Sequence, residues 1–205
     1  MIEYNLNNLW PTPIYNATID FNDDWNNNVK NFNFQKMKSK NALITSDKNV
    51  LNNNCFDNLK KELQSHINNY VYNVLKVKDN LKFQIINSWI NIHKPGQSSG
   101  IHSHSNSLLS GVFYFNDEED IGGIRFYPNN FNLFYKSISI NYKENNYINA
   151  EYISYKNKKG TVLLFPSHVD HSIEENKSNV DRYSLAFNIF VKGKLIVDDE
   201  FELNI

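Results

Sequence analysis

At Lys82 the repeat of apolar residues changes, and that change limits the folds open to this chain. Before it, Leu59, Leu63, Ile67, Tyr70, Val71 and Val74 recur at the i, i+4, i+8 spacing of one helix face, with Asp57 near the start to favour the dipole. The spacing predicts a helix over 59–74. After Lys82, short runs of β-branched and aromatic residues follow one another at 83–92, 108–115, 123–127, 131–142, 147–155, 161–165, 170–174 and 183–191. Residues 94–100 read as a loop from their Pro, Gly and Ser content. Six of the seven glycines lie between Gly96 and Gly160, where successive short strands must turn. The expectation is a mainly β protein with flanking helices, a sandwich or barrel against which the 59–74 helix packs from outside.

Upstream, Pro11 and Pro13 fix φ and remove two backbone donors, so the segment 8–15 suits a sheet edge. Trp25, Val29 and Phe32 give only weak helical spacing in the Asn-rich stretch 21–34. The 205 residues, 40% of them hydrophobic, suffice for a full core and are most simply one domain, 1–205. Within it, about 1–80 form a helical support and about 81–195 the β core.

A formal charge of −1 provides no basic excess for coating nucleic acid, and no apolar run approaches the ~20 residues that span a bilayer. The first residues lack the basic start and apolar run of a secretory signal, and the single Cys55 forms no internal disulfide. A reducing cytoplasm is expected, that of a host if the chain is viral. A homodimer is compatible with these features.

Four of the six histidines fall in two short stretches, Ile101-His102-Ser103-His104-Ser105 and Pro166-Ser167-His168-Val169-Asp170-His171. On a strand, residues two apart share a side, so His102 and His104 can present two imidazoles to one ion. Neutral imidazole suits iron, zinc, copper and nickel, and a third ligand from another strand would complete one face of an octahedron. His171 is the candidate; His168, three residues earlier, points to the other side of an extended strand. The bland alternative makes the HSH stretch a polar loop, and His66, beside the helical stripe, an ordinary helix histidine.

Taken in order, Leu9–Tyr15 (LWPTPIY), Asn87–Phe115 (NSWINIHKPGQSSGIHSHSNSLLSGVFYF), Gly122–Asn129 (GGIRFYPN), Gly160–Asn176 (GTVLLFPSHVDHSIEEN) and Asp181–Phe190 (DRYSLAFNIF) resemble the 2-oxoglutarate- and Fe(II)-dependent oxygenases, in particular a branch found in bacteria and phages. The resemblance implies a double-stranded β-helix, the jelly-roll or cupin-like barrel. It implies Fe(II) at the barrel mouth with His102 and His171 as histidine ligands, and Arg182 on the distal carboxylate of 2-oxoglutarate. A planar guanidinium offers that carboxylate a bidentate fork, and this Lys-rich chain has only two arginines. Ser184, two residues on, can add a hydroxyl, and the resemblance suggests the Tyr114 phenol as a further hydrogen bond to the cosubstrate. Asn91 and Asn188 are candidates to line the pocket, and Arg125 to hold substrate or to lie exposed on the sheet.

The sequence departs from the usual triad at one position. Oxygenases of this kind typically carry H-x-D followed by a distant His, whereas His104 stands where the Asp would be. Three imidazoles with dianionic 2-oxoglutarate leave the Fe(II) complex neutral, where a carboxylate ligand would make it anionic. Either His104 is itself a ligand, or it stands behind one and Asp170 or water completes the site. The implied activity consumes 2-oxoglutarate and O2, giving succinate, CO2 and an oxidised, hydroxylated substrate of unspecified class. Two other functions fit parts of the pattern. A cupin-like three-histidine metalloenzyme would need no carboxylate clamp; a non-catalytic β-sandwich, binding sugar or protein or associated with a virion, would bind no metal.

Overall fold

The structure, a computed structural model, describes residues 2–5, 7, 9, 11–37, 41–128, 140–198 and 201–204. In chain order the elements are β1 (Tyr15–Thr18), α1 (Asp23–Val29), β2 (Phe34–Lys36), β3 (Leu43–Thr45), α2 (Asp57–Asn68), β4 (Lys82–His93), β5 (Ser99–His102) and β6 (Leu109–Tyr114). They continue with β7 (Gly123–Phe126), β8 (Ile153–Lys156), β9 (Thr161–Pro166), β10 (His171–Ile173), β11 (Arg182–Lys192), β12 (Lys194–Asp198) and β13 (Phe201–Asn204). Among the described residues, no helix is long and apolar enough to cross a membrane.

The strands form a seven-stranded sheet ordered β1-β9-β6-β11-β4-β3-β2, a four-stranded sheet ordered β5-β10-β7-β8, and the β12-β13 hairpin. Every ladder between these strands is antiparallel. From β4 onward the chain crosses between the two large sheets: β4, β6, β9 and β11 lie in one, and β5, β7, β8 and β10 in the other. That alternation is the jelly-roll, or double-stranded β-helix, expected from the sequence.

Strand alternation sorts side chains between two cores. Leu109 and Phe113 of β6, Val162 and Leu164 of β9, and Leu185, Phe187 and Ile189 of β11 face the helices, where they meet Leu59, Leu63 and Ile67 of α2 and Trp25 and Val29 of α1. Val112, Tyr114, Leu163 and Phe165 point the other way, against Ile124 and Phe126 of the smaller sheet. Gly111 sits opposite Phe187, whose ring occupies the space a side chain there would need.

One bulge keeps β4 in phase with its neighbour. Asn188 pairs with Asn87, but Ile189 pairs with Ile85, leaving Ile86 as the extra residue. Phe83 and Ile85 therefore face the helical core before the bulge and Ile90 after it, while Asn87, Trp89 and Asn91 turn to the interior between the sheets. A strict two-residue alternation read along 83–92 misses this switch.

Most strand expectations hold to within a residue or two, and the exceptions have local causes. The predicted strand over 147–155 survives only as β8; before it, the Asn146 side chain accepts from the backbone N–H of Ile148, and Asn149 Oδ1 from that of Asn146, closing turns instead. The strand expected at 131–142 falls, for 131–139, outside the described residues, and 140–142 are not strand. Ser99 and Gly100, expected in a loop, open β5. The 8–15 segment does lead to an edge: Pro11 and Pro13 precede β1, which among the described residues pairs only with β9. The support region expected to be helical also contributes β2 and β3, which widen the larger sheet beyond β4.

The predicted 59–74 helix is real but not uniform. It is α-helical to Asn68 and continues as a π-helix over Asn69–Val74. Leu59, Leu63, Ile67, Tyr70 and Val71 are fully buried as the stripe requires, whereas Val74, where the winding has changed, is 52% exposed. Leu63→Ala is accordingly expected to cost about 2–5 kcal/mol of stability and Val74→Ala within about 0.5 kcal/mol, measured by urea unfolding. Equal costs would contradict the face assigned to this helix.

Candidate metal and cosubstrate site

β5 and β10 are neighbours in the smaller sheet, and their register sets His102 directly opposite His171. His104 lies two residues past the end of β5 and is held there by its backbone N–H, which donates to the Ser167 carbonyl (2.9 Å). The three imidazoles converge. One ring nitrogen from each lies within 4.8 Å of the others, and the ring centroids are 4.3 Å (His102 to His171), 5.1 Å (His104 to His171) and 5.5 Å (His102 to His104) apart. Among the described residues, no Asp or Glu joins this group. Asp170 is therefore outside it, and so is His168, which is exposed as expected but lies in the turn before β10 and not on an extended strand opposite His171.

The hydrogen bonds behind the rings decide what they can do. His102 Nδ1 faces the Gly100 carbonyl (2.9 Å), His171 Nδ1 the Val169 carbonyl (2.9 Å), and His104 Nδ1 the side-chain oxygen of Asn188 (3.0 Å). An oxygen acceptor requires the proton on Nδ1, which leaves the lone pair of a neutral ring on Nε2. All three histidines are thus set in the tautomer that ligates through Nε2. Walls of rings fix their planes: Trp89 stacks on His104 at 5.9 Å, and Phe165 meets His171 edge-on at 5.0 Å.

A cavity of about 120 Å³ adjoins the histidines. It is lined on the larger sheet by Trp89, Asn91, His93, Val112, Ser184 and Ala186, and on the smaller one by Ile124 and Ile173. Ser184 pairs with Asn91 on one side and Tyr114 on the other, and Arg182 pairs with His93, so all five share the inner face.

Arg182 is a cation out of contact with water, at 1% exposure. Its Nη1 donates to the carbonyls of Ile121 (3.0 Å) and Glu174 (3.2 Å), whereas Nη2 is buried without a hydrogen-bond partner. Among the described residues, no carboxylate lies within ion-pair distance of it. Burial draws its pKa down to about 10, against the opposing influence of Tyr114 and Glu174. Gly122, at φ +79°, closes over this guanidinium; a Cβ there would come within 2.9 Å of Nη1. Tyr114 Oη is likewise buried and unpartnered, and burial holds its pKa far above the usual phenol range, so it remains a donor.

Asn188 holds His104 through its oxygen, which also accepts from Ser110 Oγ (2.9 Å). Arg125 lies half-buried beside Ser172 and Ser154 in register, where its Nε donates to Glu174 (2.6 Å) and its guanidinium covers Tyr152. His66 shares a 2.8 Å hydrogen bond with Tyr15, tying α2 to β1. Sequence reading passed over His93 and Trp89, although both lie at two-residue spacing from Asn91; His93 is 3% exposed and bonded through Nε2 to Ser99 (2.9 Å). Ser110 and Ser167 carried no signal at all.

Three comparisons bear on this arrangement. The sequence matches, over residues 87–188, the model of the family described as "Putative 2OG-Fe(II) oxygenase". A comparison with curated proteins gives no match. Similar solved folds include HygX from Streptomyces hygroscopicus with nickel, 2-oxoglutarate and hygromycin B bound (11% identity, 87% of this chain and 83% of that one, TM-score 0.61). Also similar are an oxidoreductase of the 2OG-Fe(II) oxygenase family from Burkholderia pseudomallei (12%, 82% and 76%, 0.58) and a prolyl-4-hydroxylase from Pseudomonas putida (12%, 86% and 92%, 0.53). The matched segment runs from β4 to β11 and contains the three converging histidines and the buried arginine. Over residues 87–188, the stretch from β4 to β11 that carries these groups, the chain belongs by sequence match to the 2-oxoglutarate- and Fe(II)-dependent oxygenases, and its fold is similar to theirs.

Proposed function

We propose that this oxygenase holds Fe(II) on His102, His104 and His171, holds 2-oxoglutarate through Arg182, Ser184 and Tyr114, and hydroxylates a substrate with release of succinate and CO2. The observation that carries the reading is the buried guanidinium. A cation removed from water without a counter-ion is costly, and Nη2 and Tyr114 Oη are two donors that lack an acceptor on either side of Ser184. One carboxylate supplies both the missing charge and the missing acceptors. A three-histidine site that used no 2-oxoglutarate would leave this set without a purpose.

When bound, Fe(II) with 2-oxoglutarate and O2 supplies the oxidation, one oxygen atom entering the substrate C–H and the other the succinate formed as CO2 leaves. The protein's part is to bind and orient. The three imidazoles, locked with Nδ1 as donor, direct their lone pairs to one point. Being neutral, they leave the charge of the metal to be balanced by the dianionic cosubstrate, so each should favour retention of the other. Asn91, beside Ser184, adds a polar group on the same wall, and Val112, Ile124, Ile173 and Ala186 keep the remainder apolar and short of water.

Metal retention should divide the histidines. His102→Ala and His171→Ala are expected to lose Fe(II) on anaerobic desalting and with it the charge-transfer absorption seen with 2-oxoglutarate, whereas His168→Ala should keep both. Wild-type iron content in His171→Ala would overturn the ligand set.

Arg182 yields a second test because its functional and structural effects run in opposite directions. Arg182→Lys keeps a charge but loses the fork, and should weaken 2-oxoglutarate binding by about 1–3 kcal/mol in calorimetric titrations with Ni(II) present. Arg182→Met should abolish binding while the melting temperature holds or rises, since removal of a buried cation without a counter-ion offsets the loss of its bonds to the Ile121 and Glu174 carbonyls. Unchanged affinity in both variants would exclude Arg182 as the carboxylate anchor.

A further inference from the structure

A carboxylate ligand presents lone pairs whichever way it turns, but an imidazole presents one at Nε2 only when its proton is on Nδ1. Replacing Asp by His at the second triad position therefore creates a requirement: something must choose the tautomer of His104. For His102 and His171 the choice is made by backbone carbonyls, which can only accept. For His104 it is made by the Asn188 carboxamide, whose two ends are of opposite character. Turned over, the same group would present NH2, the proton of His104 would move to Nε2, and the ring could no longer ligate.

The serine chain behind Asn188 removes that freedom. Ser110 Oγ donates to Asn188 Oδ1 (2.9 Å), Ser110 and Ser167 hydroxyls are 2.8 Å apart, and Ser107 Oγ donates to Ser167 Oγ (2.7 Å). A hydroxyl has one proton. Because that of Ser110 is committed to Asn188, Ser167 must donate to Ser110, and Ser107 to Ser167. The chain thus runs in one direction and ends on an oxygen that accepts from Ser110 and His104 together. Ser110 and Ser167 are each 1% exposed and Asn188 is 7% exposed, so water has little access to replace these bonds. Ser167 also accepts the backbone N–H of His104, so one residue anchors both the ligand's main chain and the relay that sets its ring.

We propose that Ser107, Ser167 and Ser110 form a tautomer lock which, through the Asn188 oxygen, makes His104 a metal ligand. Asn188 and Ser110 are positioning residues, acting through His104 without touching the metal. The inference rests on the reading that the three histidines bind the metal, but its first test does not need metal at all.

In metal-free protein labelled with 15N-histidine, at a pH of about 8 where an ordinary imidazole is neutral, His104 should give the spectrum of the Nδ1–H tautomer. Ser110→Ala, which frees the carboxamide to rotate, should give a mixture. Asn188→Asp has no donor end to turn and should keep the Nδ1–H form, alone or combined with Ser110→Ala. Ni(II) affinity should follow: a loss of about tenfold to a hundredfold in Ser110→Ala, but none when Ser110→Ala is added to Asn188→Asp. Melting curves of the same four proteins show whether the shared core substitution disturbs folding in both backgrounds. An unchanged tautomer in Ser110→Ala, or an equal loss of Ni(II) affinity in both backgrounds, would overturn the lock. If wild-type protein bound no Ni(II), the metal reading would fall instead, and the histidine spectra would still decide the lock.

Discussion

β11 is hydrogen-bonded along its length to β4 on one side and from Ser184 to Ile189 to β6 on the other, and the two-residue period of this one strand organises the molecule. Leu185, Phe187 and Ile189 seal the sheet against the helices, while Arg182, Ser184, Ala186 and Asn188 face the space between the sheets. A slip of one residue would exchange the two sets, turning the guanidinium to the helical side and a leucine into the cavity. Packing on the helical side thereby fixes chemistry on the other. The register is protected by the fit of Phe187 over Gly111 and by the bulge at Ile86, which absorbs the residue by which β4 and β11 differ.

Much of this could be read from the sequence where the physics is local or periodic. The strands around the histidines and the helical stripe from Leu59 follow from side-chain period, whereas His168 stays outside the cluster because a turn carries it. Arg182 stood out because a Lys-rich chain uses so few arginines. What escaped detection depends on partners distant in sequence. Ser110, Ser167 and Ser107 are ordinary serines until the fold aligns their hydroxyls, and Asn188 could not be told from the many other asparagines until its oxygen met His104. Tyr147 failed in the opposite way: an aromatic, β-branched stretch looked like strand, but the side chains of Asn146 and Asn149 offered the backbone a cheaper set of hydrogen bonds.

The third imidazole also alters the electrostatics of the interior. Charged groups of this interior include Arg182, deep and dehydrated, and Glu174, which is engaged by Arg125. A buried guanidinium with no carboxylate at ion-pair distance among the described residues, joined by a divalent metal on neutral imidazoles, would leave an excess of positive charge that favours a small dianion over neutral molecules of the same shape. Replacing His104 by a carboxylate would relieve part of that excess and weaken the same preference.

The contacts that build this interior share one further property, their separation along the chain. His104 meets Asn188 across 84 residues, Ser110 meets Asn188 across 78, and Ser107 meets Ser167 across 60. Closing such distances is the slow part of folding for an all-antiparallel topology, because each pairing must recover the entropy of a long loop before it gains contacts. As the chain leaves the ribosome, the H-S-H stretch emerges well before β11, and until that strand docks His104 lacks its acceptor and the sheet lacks its arginine. In the site proposed above, the group that sets His104 and the arginine meant for the cosubstrate would therefore arrive together, with the docking of the last-made strand of the larger sheet.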